Sequence, residues 1–159
     1  MLEIPLTRGY STVIDDCDSD VTGYCWFAFG TGSRFYARHS FAKPRSHLLL
    51  HRVILERVIG RKLTSDEGAD HIDGNPLNNC RDNLRLATIS ENNANARRRS
   101  DNQSGYKGVR WDEKTGTWRA RIGLNGKRFS LGYFDTPEEA HAAYCTAARE
   151  LFGEFARFE

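Results

Sequence analysis

The chain has 159 residues, 39% of them hydrophobic, so it can bury one core of ordinary size or two to three small ones. Its formal charge is only +2, but residues 93–130 contain ten Lys or Arg against three acids. A phosphate backbone would contact such a basic belt, although a merely solvated surface can have the same composition. The sequence has no signal peptide and no apolar run of membrane length, so a membrane partner is not expected.

Cysteine usage predicts a reducing cytoplasm. Cys17, Cys25, Cys80 and Cys145 show no paired spacing, and free thiols are therefore expected. We expect no structural zinc, because Cys80 has no second Cys or His at ligand spacing beyond the nearby His71.

Residues 1–46 form a predicted N-terminal β-rich region. Apolar and aromatic residues alternate with polar ones, and the run Gly30–Ser33 separates two strand-like segments. This pattern predicts an antiparallel hairpin. A buried helix over Leu48–Ile59 follows, with Gly60 as its stop. His51 near its start is expected to be packed rather than catalytic.

Residues 47–99 form the predicted catalytic core. Asp70 and His71 end one short strand, a cluster of turn-forming residues follows, and Leu84–Ala87 is typical of a return strand. Thr88 and Glu91 match a capping box, so a helix should begin near Ile89.

The polar residues of this core predict a metal-dependent nuclease. Carboxylate and amide oxygens of Asp70 and Asn92 suit Mg²⁺, or Mn²⁺, which also accepts phosphate oxygens as ligands. His71 is the predicted general base. Asn83 is expected to fix its tautomer through a hydrogen bond to the second ring nitrogen.

The pattern Asp70-His71-x-x-Gly74-Asn75, then Asn83-Leu84, then Thr88-x-x-x-Asn92 resembles the HNH (ββα-metal) nuclease family, in the phage homing-endonuclease branch. The resemblance implies a metal-binding acid at Asp70, the base at His71 and its orienting residue at Asn83. Asn92 stands where the family name has its last His.

A basic, polar linker is predicted over residues 100–105, directly after Arg97, Arg98 and Arg99, which can pair with DNA phosphates.

Residues 106–159 are predicted to form three strands and one helix. Asn125-Gly126 is a strong type I′ hairpin signal, and Thr136 with Glu139 announces the helix. Alternation places four arginines on the open face of the sheet: Arg110, Arg119, Arg121 and Arg128.

This last module resembles the ethylene-response-factor (APETALA-type) DNA-binding domain. The resemblance rests on Tyr106-Lys107-Gly108-Val109-Arg110, on the strand Trp118–Ile122, on Leu131–Phe134 and on the helix Glu138–Ala148. It implies that the sheet face reads DNA, and it adds Lys107 to the four arginines as a contact. Ser130 stands where plant members often carry Trp, so their target sequence is not transferred.

Together these features predict an α+β chain that acts as a site-directed endonuclease of the homing or mobile-element type on double-stranded DNA. It would work in the cytoplasm of a cell that hosts a phage, or of a bacterium, as a monomer or a dimer. The main alternative is a non-catalytic DNA-binding transcriptional regulator with a decayed HNH module. A protein that binds or cuts RNA is a third possibility.

Overall fold

Strands and helices are interspersed along the chain in a computed structural model that describes residues 1–32, 34–42, 46–99 and 101–159. The elements are β1 (Leu2–Pro5), β2 (Ser11–Ile14), β3 (Phe27–Thr31), β4 (Arg34–Phe41), β5 (Ser46–Leu49), α1 (Leu50–Ile59), β6 (Glu67–His71), β7 (Leu84–Thr88), α2 (Ile89–Asn95), β8 (Val109–Asp112), β9 (Thr117–Leu124), β10 (Lys127–Phe134) and α3 (Pro137–Phe152). The predicted α+β class is confirmed. The chain divides into two units, Met1–Ala87 and Thr88–Glu159.

Three small sheets are formed by the described residues of the first unit. β1 pairs with β2, β4 lies between β3 and β5, and β6 pairs with β7. The predicted hairpin corresponds to β3 and β4, which pair in antiparallel fashion; Ser33 in its turn lies outside the described residues. The sheets and α1 share one apolar core, whose most deeply buried members include Ile14, Leu50 and Ile54.

Helix α1 begins two residues later than the apolar pattern predicted. Residues 46–49 pair with β4 instead, with Leu48 opposite His39 and Leu49 opposite Arg38. The helix stops at Gly60, whose φ of 72° is in the left-handed region. A glycine there removes the steric cost of that conformation.

A buried carboxylate ties the N-terminal region to the rest of the first unit. Asp18 is fully buried in a short 3-10 segment, where it accepts hydrogen bonds from Arg81 at 2.7 Å and from Arg57 at 3.0 Å. The hydrogen bonds from Arg81 lower the pKa of Asp18, so the carboxylate is charged at neutral pH. Two guanidinium groups thus compensate the burial of one charge.

The second unit is an antiparallel sheet in the order β10-β9-β8, packed on α3. Asn125 and Gly126 have φ of 51° and 75°, as the predicted type I′ turn requires. The predicted capping box of Thr136 and Glu139 is formed at the start of α3.

Strand β8 starts at Val109, directly after a turn at Gly108, whereas the sequence predicted a strand over Tyr106–Trp111. Gly108 has φ of +77°, and a Cβ at this position would lie 2.1 Å from the ring of Tyr144 on α3. The chain therefore turns at Gly108 and passes directly over the helix.

No helix among the described residues is long and apolar enough to cross a membrane.

Candidate active site and basic sheet face

Asp70 and His71 form the C-terminal end of β6 and are largely buried, with exposures of 3% and 6%. Arg85 on β7 donates its Nε–H to Oδ2 of Asp70 at 2.9 Å, and both side chains are shielded from solvent. This ion pair gives the buried carboxylate of Asp70 a cationic partner. Arg85 was not among the residues predicted from the sequence, because an arginine alternating with leucines on a short strand is typical of a solvent-facing position.

The imidazole of His71 is held on one side by an amide. Its Nε2 lies 3.1 Å from Oδ1 of Asn79. Its ring centroid is 5.2 Å from that of His51 and 6.4 Å from that of Tyr36. Burial lowers the pKa of His71 below its ordinary value, although the hydrogen bond with Asn79 acts in the other direction. His71 is therefore neutral at pH 7, the form that can accept a proton.

His51 is packed at the start of α1. Burial lowers the pKa of His51 to about 3, and the charges of the neighbouring His71 and Arg52 act in the same direction. Its Nδ1 is buried and has no hydrogen-bond partner among the residues that the structure describes. His51 thus contributes a neutral ring beside His71.

Asn83 does not make the hydrogen bond to His71 that the sequence suggested. Its amide group donates to Oδ1 of Asp73 at 3.0 Å and to the carbonyl of Asn78 at 2.7 Å. Its carbonyl oxygen accepts from the backbone N–H of Asp73. These three hydrogen bonds hold the loop between β6 and β7, and none of them orients the imidazole. The amide that contacts His71 is Asn79, which in the sequence is only one of several turn-forming residues.

Asn92 lies in α2 and therefore in the second unit. The capping box predicted for this helix is formed by Thr88 and Glu91. Within the described ranges, no group of three or more His, Cys, Asp or Glu side chains is arranged to hold a metal ion.

The open face of the second unit's sheet is strongly basic. Arg110 pairs with Arg119 across β8 and β9, and Tyr133 lies opposite Arg119 on β10. Burial, and then repulsion from Arg119, Arg110 and Arg128, lowers the pKa of Arg121 below its usual value. The four guanidinium groups are thus close neighbours, and in the described part of the chain none of them is paired with a carboxylate.

Side-chain contacts orient this face. Arg119 donates to Oγ of Ser130 at 3.2 Å, and its guanidinium lies 5.3 Å from the ring centroid of Tyr133. The inward residues Ala120 and Ile122 are buried. The predicted alternation along β9 is therefore present.

The other predicted DNA contacts lie elsewhere in the second unit. Lys107 donates from its ammonium to the backbone carbonyls of Ala94 and Ala96, at the C-terminal end of α2. Arg97, Arg98 and Arg99 are exposed, and Arg99 forms an ion pair with Asp101 at 2.7 Å. Ser100, the first residue of the predicted linker, lies outside the described residues.

Comparison with known proteins gives two domain matches. Residues 48–94 match the HNH endonuclease profile, and residues 104–154 match the AP2 domain profile. Protein 3.8 of Escherichia phage T7 is 45% identical over 89 residues, which are 56% of this chain and 73% of that protein. An uncharacterized HNH endonuclease, L560 of Acanthamoeba polyphaga mimivirus, is 39% identical over 136 residues, 86% of this chain and 67% of the relative.

The chain belongs to the HNH endonuclease family. The order predicted from the sequence, an HNH core followed by an APETALA-type domain, is confirmed. No solved structure matches the chain. The HNH endonuclease is thus a DNA nuclease with a DNA-binding AP2 domain, and HNH nucleases generally use a divalent metal ion.

The position of Lys107 generates the first prediction. Replacing Lys107 with Met removes two hydrogen bonds to the end of α2, so we expect a loss of about 1–3 kcal/mol in the stability of the second unit. Urea unfolding of the full chain measures this loss. The salt dependence of DNA binding should stay unchanged. If Lys107 contacted a DNA phosphate, the substitution would reduce that salt dependence.

Lys114→Met is the matched control, since it removes an exposed lysine from the turn between β8 and β9. Its unfolding midpoint should equal that of wild type. A Lys107→Met variant of normal stability whose salt slope falls by about one would contradict the structural role and restore Lys107 as a DNA contact.

Proposed function

We propose that this HNH endonuclease hydrolyses one phosphodiester bond of double-stranded DNA with a single divalent ion, Mg²⁺ or Mn²⁺, at sites chosen by its AP2 domain. The observation that carries the proposal is the placement of a buried, neutral His71 next to Asp70, whose carboxylate is paired with Arg85. Relatives in a phage and a large virus support a homing or mobile-element role in the cytoplasm of a host cell.

In this proposal His71 is the general base that removes a proton from the attacking water. Asp70 and Asn92 hold the ion, an assignment that rests on their spacing in the sequence motif. The ion, when bound, neutralises charge that develops on the phosphate and the leaving oxygen. Asn83 positions the loop between β6 and β7 through its bonds to Asp73 and Asn78.

The donor chemistry of these residues fits a hard divalent ion. A carboxylate and an amide oxygen are few ligands, and Mg²⁺ characteristically keeps several waters and binds substrate phosphate at its other positions. Arg85 balances the charge of Asp70 without adding a competing metal ligand.

We assign site binding to the basic sheet face, where Arg110, Arg119, Arg121 and Arg128 can contact phosphates and base edges in the major groove. Arg97, Arg98 and Arg99 are proposed as further phosphate contacts. One HNH domain per chain implies nicking by a monomer, or cleavage of both strands by two assembled chains.

The nuclease proposal predicts that His71→Ala stops cleavage. We expect conversion of supercoiled plasmid to nicked circles in Mg²⁺ or Mn²⁺ at low salt, with a rate for His71→Ala at least about 10²-fold lower than wild type. His47→Ala, which removes an exposed histidine of β5, should cut normally. Equal cleavage by both variants would refute the role of His71. DNA binding without cleavage by wild type would favour the regulator instead.

The metal assignment predicts a difference between two neighbouring asparagines. Asn92→Ala should raise the Mg²⁺ concentration needed for half-maximal nicking by about tenfold or more, because a ligand is lost. Asn93→Ala, an exposed neighbour on α2, should leave it unchanged. Metal titrations of the nicking rate measure both, and identical titration curves would remove Asn92 from the ion site.

The DNA-binding assignment predicts that Arg121→Ala weakens binding to duplex DNA by about 1–3 kcal/mol and reduces the salt slope by about one. Fluorescence anisotropy at several salt concentrations measures both quantities. Arg149→Ala, which removes an equal charge from α3 on the other side of the sheet, should bind as wild type. Unchanged affinity of Arg121→Ala would contradict the assignment, and stronger competition by RNA than by duplex DNA would favour an RNA substrate.

A further inference from the structure

Strand β2 holds the loop that follows β6, far along the chain from the catalytic motif. The backbone N–H of Val13 donates to the carbonyl of Leu77 at 2.9 Å, and the N–H of Asn79 donates to the carbonyl of Val13 at 2.8 Å. These bonds place Thr12 beside Asn79, although the two are 67 positions apart in the sequence.

The hydroxyl of Thr12 has one proton, and its direction is fixed. Thr12 Oγ1 lies 2.7 Å from the carbonyl oxygen of Leu77, which can only accept. Oγ1 must therefore accept from its other partner, the Nδ2 of Asn79, at 2.6 Å. Thr12 and Asn79 have 0% exposure, so solvent offers neither group an alternative partner.

The orientation of the Asn79 amide determines which of its two polar atoms contacts the imidazole of His71. Because Nδ2 faces Thr12, Oδ1 faces Nε2 of His71 at 3.1 Å. An amide oxygen accepts only, so Nε2 must carry the proton. A neutral imidazole has one N–H, which leaves the lone pair on Nδ1.

We propose that Thr12 and Asn79 are positioning residues that fix His71 in its Nε2–H tautomer and so make Nδ1 the atom that accepts the proton from water. The tautomer and its cause are properties of the free protein. Only the catalytic consequence rests on the proposed function. Strand β2, near the N-terminus, thereby helps to orient the proposed general base.

The direct test is the nitrogen NMR spectrum of the imidazoles in uniformly ¹⁵N-labelled full-length protein, without DNA or metal, above pH 7. Two-bond proton–nitrogen correlations distinguish the two neutral tautomers, and the signals of His71 are assigned by their absence in His71→Ala. We expect a single Nε2–H form in wild type. An Nδ1–H form, or a mixture of both, would overturn the proposal without any variant.

Variants of Thr12 test the cause. Thr12→Val keeps the shape but lacks the hydroxyl, so Nδ2 of Asn79 loses its close acceptor at 2.6 Å and keeps only the carbonyl of Pro76 at 3.5 Å. The amide is then held less firmly, and His71 should show both tautomers. Thr12→Ser keeps the hydroxyl and should show the wild-type form. If Thr12→Val folds and keeps a pure Nε2–H tautomer, Thr12 does not act on His71. If it fails to fold, Asn79→Ala replaces it, with the same expectation of mixed tautomers and the same contrary outcome.

Cleavage then tests the consequence. The plasmid-nicking rate should fall about tenfold in Thr12→Val at unchanged DNA affinity, since general-base catalysis contributes about 10²–10⁴-fold and is only partly lost. Thr12→Ser should restore the rate. Mixed tautomers with an unchanged rate would overturn the catalytic consequence. A pure Nε2–H tautomer in a wild-type protein that does not cut DNA would count against the proposed function alone.

Discussion

The hydrogen bond between Oδ1 of Asn79 and Nε2 of His71 joins two parts of the first unit that are distant in sequence. A buried polar group without a partner costs about 1–3 kcal/mol, and here each group in the chain from Leu77 through Thr12 and Asn79 to His71 has one. Because the donors and acceptors must alternate, a change at one end alters the other. The imidazole is thus oriented by the backbone pairing of β2, which the apolar core stabilises.

The sheet of the second unit combines an apolar face, which stabilises the fold, with a basic face that is open to solvent. Ala120 and Ile122 face α3, while Arg119 and Arg121 alternate with them and face outward. The stability of the sheet therefore comes from one face and its charge from the other. Lys107 does not follow this division, since its ammonium caps the carbonyls at the end of α2. A lysine at the edge of a basic module can thus be structural.

The sequence predicts well those features that depend on neighbours along the chain. The capping boxes at Thr88 and Thr136 and the Asn125-Gly126 turn need only residues a few positions apart, and all of them are formed. Tertiary contacts set the boundaries that differ: pairing with β4 extends Leu48 and Leu49, and the ring of Tyr144 forces the turn at Gly108.

The candidate site was predictable in its residue types but not in its contacts. Asp70 and His71 adjoin each other in the sequence. In contrast, Arg85 and Asn79 reach them only because β6, β7 and the intervening loop fold together. Asn83 and Asn79 are both asparagines in this loop, and nothing local indicates which of them turns toward the imidazole. The bond of Asn79 to Thr12 decides it, and that contact depends on the whole first unit.

The two units use their cations differently, although the formal net charge of the chain is only +2. In the first unit Arg57 and Arg81 bind Asp18, Arg61 binds Glu67, and Arg85 binds Asp70. These cations neutralise acids of their own unit, so they offer little to a phosphate backbone. The guanidinium groups on the open sheet face instead repel one another. Positive charge without an acidic partner therefore lies on the open sheet face, the surface proposed to bind DNA, whereas Asp70 beside His71 is paired with Arg85.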